Sequence, residues 1–177
     1  MSETVDTLDT SVEPRWLTAE EQHAWRSYLR GSRLLEAALD KDLQSHGVQL
    51  SEYEIISMLS EAEARRLRMS SLADLVVQSR SRLTHTAARL ERRGWVRRES
   101  CLEDRRGVEL VLTDEGWQAV QDMARVHVES VRRHLVDTMP PELFAALGTA
   151  MDAISAGILR SGAAEAPEGG TMASSLR

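Results

Sequence analysis

The chain has 177 residues, 42% of them hydrophobic and 28% charged, which is the balance of one ordinary globular domain and leaves no room for two large ones. No apolar run is expected to reach the roughly 18 residues a membrane-spanning helix needs, and the single cysteine, Cys101, excludes an internal disulfide and a Cys-rich zinc site. The net charge of −6 conceals a lopsided distribution: residues 65–106 hold twelve of the 22 basic residues, all arginine, against five acids, a net of +7 that leaves −13 for the rest.

Residues 1–15 are acidic, carry no basic cluster or apolar core of an export signal, and stop at Pro14. With residues 161–177, which are small and Gly-rich, they read as flexible ends, and a reducing cytoplasm is the expected setting. Thr18 and Glu21 form a capping box ahead of Trp25, Tyr28, Leu29, Ser32, Leu35, Leu39 and Leu43, whose spacing predicts a long amphipathic helix stopped near His46-Gly47. Ser51 and Glu54 repeat the capping pattern before Ile55, Ile56 and Leu59, giving a second helix to about residue 64, and residues 67–69 read as a very short strand. Ser70 or Ser71 opens a third helix with Leu72, Leu75 and Val76 inward. Ser79 opens a fourth over 80–93, closed by Gly94. Two short helices so close together form a helix-turn-helix, here without the glycine often found in its turn. Residues 95–99 and 108–112 then alternate as strands around the polar loop 100–107, a β-hairpin. Thr113 caps a fifth helix carrying Val120, Met123, Ala124, His127, Val131 and Leu135. Pro140-Pro141 restarts the chain into a sixth with Leu143, Phe144, Leu147, Met151, Ile154 and Ile158 on one side.

On a helical wheel the fourth helix turns Leu83, Thr86, Ala87 and Leu90 inward. Ser81, His85, Ala88 and Arg92 point outward, flanked by Arg82, Thr84 and Arg89. A helix with cations, donors and small residues on its outer face fits a B-DNA major groove. Arg82 or Arg89 suits a guanine, Ser81, Thr84 and His85 suit base edges or phosphates, and the helix start at Ser79 and Arg80 suits a phosphate. For Arg89 and Arg92 taken singly, an ordinary solvated position is an equal reading. At the hairpin tip, Arg105 or Arg106 can enter the neighbouring minor groove, with Asp104 holding one of them in place. Alone, that tip would read as a solvated charged turn.

The run Ser79-Arg80-Ser81-Arg82-Leu83-Thr84, then Arg89-Leu90-Glu91-Arg92-Arg93-Gly94-Trp95-Val96, continuing into Glu103-Asp104-Arg105-Arg106-Gly107 and Leu112-Thr113-Asp114-Glu115-Gly116, resembles the MarR family of bacterial transcription regulators. The resemblance spans roughly residues 17–160. It implies a mainly α fold with a small β-hairpin wing, a winged helix-turn-helix plus a helical dimerisation region. It divides the chain into a flexible arm (1–15), a first dimerisation helix (16–47), a DNA-binding lobe (48–112), two further dimerisation helices (113–160) and a tail (161–177). It also implies a homodimer on a pseudo-palindromic, inverted-repeat operator of double-stranded DNA, the fourth helix in the major groove and Arg105 or Arg106 in the minor groove. A repressor released by a small aromatic or phenolic effector is the expected function. The apolar stripes of helices 1, 5 and 6 exceed what a small core covers, which points independently to a second copy.

Weaker signals carry weaker expectations. Trp16, Trp25 and Tyr28 could line an aromatic pocket, although aromatics at this spacing are more often core or dimer contacts. Family peroxide sensors place a reactive cysteine near the start of helix 1, where this chain has none. Cys101 sits in the wing near Arg97, Arg98 and Arg105, and a redox-responsive regulator is the alternative it supports. Without a second cysteine to resolve a sulfenic acid, it is read as an inert surface or half-buried thiol. His127 and His134 lie seven apart without a carboxylate at ligand spacing, so neither metal nor cofactor is expected. No catalytic motif occurs, and the chain is read as a non-enzyme. A winged helix used as a protein-interaction module is the rival class, disfavoured by cations on both the fourth helix and the wing.

Overall fold

The computed structural model describes residues 13–101 and 107–161. In chain order it has helices α1 (Ala19–Gln44) and α2 (Leu50–Glu61), strand β1 (Arg66–Arg68), helices α3 (Met69–Leu75) and α4 (Arg80–Arg92), strands β2 (Val96–Ser100) and β3 (Val108–Leu112), and helices α5 (Asp114–His134) and α6 (Pro141–Arg160). Single 3₁₀ turns occupy Glu63–Arg65 and Val136–Thr138. The chain forms two compact units, Met1–Leu34 and Leu35–Arg177.

In the first unit, α1 starts on the capping box its sequence announces. The Thr18 N–H donates to Glu21 Oε2 at 2.7 Å and the Glu21 N–H donates to Thr18 Oγ1 at 3.2 Å. Trp25 and Tyr28, three residues apart on one face, stack with ring centroids 6.0 Å apart. Both remain exposed, as do Trp16 and Leu34.

The second unit holds the core. Leu43 and Val48 pack with Ile55, Ile56 and Leu59 of α2, Leu72 of α3, Leu83, Ala87 and Leu90 of α4, Leu110 and Leu112 of β3 and Val120 of α5. The inward positions expected of α4, Leu83, Thr86, Ala87 and Leu90, are its four buried residues. The wing is more than a hairpin. The short strand β1 pairs antiparallel with β3, which also pairs with β2, giving a three-stranded sheet in the order β1-β3-β2. The α2 cap lies two residues ahead of the expected Ser51/Glu54 box: Gln49 is the cap residue, and its N–H donates to Glu52 Oε2 at 3.0 Å. The Leu50 N–H donates to Asp40 Oδ1 at 2.8 Å, so the end of α1 shares in capping α2.

The junction of wing and α5 explains the Leu-Thr-x-x-Gly sequence. Thr113 Oγ1 accepts the Gly116 N–H at 3.0 Å and donates to the Gly94 carbonyl at 2.7 Å, and the Thr113 N–H donates to the Trp95 carbonyl at 3.0 Å. That ties the first turn of α5 against the end of α4, where Gly94 adopts φ +75°. A Cβ at Gly116 would lie 2.0 Å from the Trp95 oxygen, so only glycine permits the approach. In the turn between α3 and α4 the residue with positive φ is Val77, at +49°. A β-branched side chain therefore stands where glycine would relieve strain.

Helix α6 buries none of its residues, and Leu143, Ile154, Ile158 and Leu159 are exposed. Against expectation, its length and apolar composition satisfy the test for a membrane span, because its few charges, Glu142, Asp152 and Arg160, are spread out and the rest is largely Ala, Leu, Ile and Gly.

Candidate nucleic-acid interface

The outer face of α4 begins at its cap. Ser79 has extended backbone, and its Oγ accepts the Arg82 N–H at 3.3 Å. This fixes the first turn and leaves Ser79, Arg80, Ser81, Arg82, Thr84 and His85 exposed along one side. A concave cleft of about 390 Å³ runs beside that face, lined by Gln49, Ser81, Arg82, His85 and Arg89 among others. A second, of about 360 Å³, lies between the starts of α3 and α4 and the start of β3, with Arg68, Ser70, Arg80 and Thr84 in its walls. The Thr84 hydroxyl donates back to the Arg80 carbonyl at 2.8 Å, which leaves its oxygen free to accept only.

The arginines sort into two groups. Acids, most of them from other elements, take up several that the sequence left unpaired. Arg66 lies 3.3 Å from both Glu99 and Glu109 across the sheet, Arg97 lies 2.6 Å from Glu99, and Arg65 pairs with Asp114 at 3.3 Å and stacks over Trp117. The Arg97 hydrogen bond, with Arg66 alongside, holds the Glu99 carboxyl below the usual carboxylate range. Arg98 of β2 binds Glu91 at 2.9 Å and the Thr84 carbonyl at 3.1 Å, anchoring the wing to α4. By contrast Arg80, Arg82 and Arg92 form no ion pair with another described residue. All three are exposed on α4. Arg82 does act at longer range on Glu54, whose carboxyl is raised by burial and by the like charge of Glu36, the Arg82 cation opposing them.

Arg89 is held by two side chains and does not stand as an ordinary solvated cation. Its Nε donates to Glu52 Oε1 at 3.2 Å and its Nη2 to Gln49 Oε1 at 2.6 Å. Arg93, one turn later, reaches Glu52 Oε2 at 3.7 Å, donates to the Gly47 carbonyl at 2.7 Å and stacks over Trp95. Glu52 is 2% exposed. Sequence reasoning missed it because it stands beside the apolar Tyr53, Ile55 and Ile56. A cue was available in its place on α2 as a carboxylate that arginines i and i+4 of another helix could reach.

The wing-tip candidates Asp104, Arg105 and Arg106 lie outside the described residues. Cys101 is buried at 4% exposure at the far end of β2, where its N–H donates to the Gly107 carbonyl at 2.9 Å. This corrects the expectation of a surface or half-buried thiol and removes the access a redox sensor needs. His127 and His134 go separate ways. His127 packs on Tyr53 with centroids 4.6 Å apart, and burial lowers its pKa below the usual histidine value. His134 Nε2 lies 3.0 Å from Asp42 Oδ2, which also accepts from Ser130 Oγ at 2.6 Å. Among the described residues no group of three His, Cys, Asp or Glu side chains is placed to hold a metal.

Residues 48–108, from the end of the first interhelical turn to the start of β3, match the MarR family model. The chain is 34% identical over 104 residues to the HTH-type transcriptional regulator PecS of Dickeya dadantii, a stretch covering 58% of this chain and 63% of PecS. It thus spans under two thirds of that curated relative. Two solved structures match more completely. One is AbsC of Streptomyces coelicolor, at 46% identity and a TM-score of 0.77 over 82% of this chain and 98% of that one. The other is Sco3205 of the same organism, solved in complex with DNA, at 46% identity and a TM-score of 0.78 over 82% and 92%. Both are described as MarR family transcriptional regulators. With the helix-turn-helix, the sheet behind it and the Thr113–Gly116 junction in place, the chain belongs to the MarR family of winged-helix transcription regulators, which are not enzymes.

Proposed function

We propose that this regulator binds an inverted-repeat operator in double-stranded DNA as a homodimer and represses transcription from it. The observation that carries the reading is the exposed side of α4, where Ser79, Ser81, Thr84 and His85 stand among Arg80, Arg82 and Arg92, cations with no ion pair to another described residue. Such a face offers fork geometry to guanine and charge to phosphates. In this reading Ser79 and Arg80 hold the backbone, Ser81, Arg82, Thr84 and His85 face base edges, and Arg105 or Arg106 with Asp104 behind it takes the minor groove. Residues 48–112 form the DNA-binding lobe.

Dimerisation is assigned to 16–47 and 113–160. Each compact unit carries apolar surface of its own, Trp16, Trp25, Tyr28 and Leu34 in one, Leu143, Phe144, Ile154 and Ile158 in the other, and a second copy would cover both. The same argument favours a protein partner over a lipid one for α6, whose Asp152 would otherwise stand in the middle of a bilayer. The site of action is the cytoplasm, with the DNA. Release by a small aromatic or phenolic effector completes the proposal, and a thermal-shift screen tests it, since a ligand that binds only the folded protein raises its melting temperature.

The decisive experiment selects duplexes from a random pool with the purified protein and titrates the enriched sequence against salt. An inverted repeat is expected, with log K falling by about 0.9 per phosphate contacted for each unit of log salt. Failure to enrich any sequence, with a monomer in solution scattering, would overturn the proposal.

A further inference from the structure

We infer that Glu52 is a positioning residue for base recognition: it holds one edge of the Arg89 guanidinium so that the opposite edge faces the cleft along α4. The inference rests on the DNA-binding reading above and adds to it a residue that touches no DNA.

A guanidinium has five N–H donors arranged on two usable edges, one formed by Nε and Nη2, the other by Nη1 and Nη2. In this structure Nε donates to Glu52 Oε1 at 3.2 Å and Nη2 donates to Gln49 Oε1 at 2.6 Å. Nη1 makes no hydrogen bond to another described residue. Arg89 lines the cleft beside Ser81, Arg82 and His85, and with Nε and Nη2 engaged, Nη1 is what it has left to offer a ligand there. Glu52 is itself immobile. It is 2% exposed, its Oε2 accepts the Gln49 N–H at 3.0 Å, and Arg93 lies 3.7 Å from the same oxygen. The carboxylate thus joins the start of α2 to two successive turns of α4.

Two consequences follow from this arrangement. A side chain already held in one rotamer loses less freedom when it meets a base or phosphate, and a fixed fork discriminates between partners that a swinging one would accept alike. The buried negative charge also offsets one cation of the DNA-facing surface, so Arg89 adds geometry more than attraction.

The test is a double-mutant cycle on the full-length protein with Glu52→Gln and Arg89→Ala, using the duplex enriched from the random pool and a scrambled duplex of equal length. Glutamine keeps the acceptor for the Gln49 N–H but not the charge. Glu52→Gln should reduce discrimination between the two duplexes by about tenfold, within the coupling expected of contacting residues. It should also steepen the salt dependence on scrambled DNA by up to about one unit of slope per subunit, as an offset cation is released. In the Arg89→Ala background the loss of discrimination should vanish. Gln49→Ala, which removes an exposed amide from the same edge of Arg89, should lower discrimination in the same direction and serves if the Glu52 variant does not fold. Equal loss on both duplexes, or an undiminished Glu52→Gln effect without Arg89, would overturn the inference. If the wild-type protein enriches no duplex, it is the DNA-binding reading that fails.

Discussion

Replacing Gly116 with alanine sets two effects of one methyl group against each other. In an unobstructed helix the change favours folding by about 1 kcal/mol, because glycine is the poorer helix former. Here the added carbon would sit 2.0 Å from the Trp95 carbonyl oxygen, 2.7 Å from Leu112 Cδ1 and 2.9 Å from the Trp95 carbonyl carbon. Two of these are backbone atoms, so no side-chain rotation relieves the clash. The start of α5 and the segment entering β2 must separate by more than an ångström. Overpacking of this kind costs about 1–3 kcal/mol. The same movement pulls the Thr113 N–H from the Trp95 carbonyl, a further loss of about 1 kcal/mol. Against the helix gain, the balance is destabilisation of roughly 1–3 kcal/mol. For a chain of this size that lowers the melting temperature by roughly 4–8 °C at the middle of the range. Thermal unfolding followed by circular dichroism, wild type and variant at one protomer concentration, makes the comparison. A melting temperature equal to or above that of the wild type would refute the close approach, since helix propensity alone would then be acting.

Val77→Gly should stabilise the protein by about 0.5–1 kcal/mol, because relief of the φ of +49° exceeds the extra freedom glycine adds to the unfolded chain; urea titration checks it, and a loss of stability would contradict the strain. Arg82→Ala should cost about 1–3 kcal/mol at one base position per half-site while leaving the others unchanged, as measured by gel shift on single-base variants of the enriched repeat. His127 gives a pH dependence of definite sign. Burial lowers its pKa in the folded state, so the unfolded chain binds the proton first and stability declines as pH falls below the unfolded value of about 6.5. His127→Phe, which keeps a ring against Tyr53, should flatten that part of the stability–pH curve, and an unchanged slope between pH 7 and 5 would assign it to another group.

The proposed readout has two parts with different physical origins. Attraction comes from the α4 cations that form no ion pair with another described residue, and it is long-ranged and screened by salt. Discrimination comes from side chains held in place before DNA arrives, Arg89 by Glu52 and Gln49, and the first turn of α4 by the Ser79 cap. Arg98 extends the same rigidity to the wing by joining β2 to the Thr84 carbonyl. Substitutions in the first group should change affinity on all sequences, and those in the second should change preference among them.

Local signals were enough to place the helices and several of their ends. Thr18 with Glu21, Ser79, Gly94 and Thr113 act within three or four residues of themselves, so their roles are written in adjacent letters. The spacing of Leu83, Ala87 and Leu90 likewise determined which side of α4 faces inward, and the crowding of arginine in 65–106 marked the region proposed to meet DNA. Tertiary structure alone decided the α2 cap. The Ser51/Glu54 pattern lost to Gln49/Glu52 because Glu52 must lie where Arg89 and Arg93, far along the chain, can neutralise it. It also decided which arginines remain available, since the acids opposite Arg65, Arg66 and Arg98 come from α5, the sheet and α4. It added β1 as a third strand and brought Gly116 against Trp95. Caps and periodicity depend on neighbours in sequence, whereas charge pairing and close packing depend on neighbours in space, and the folded chain is what supplies those.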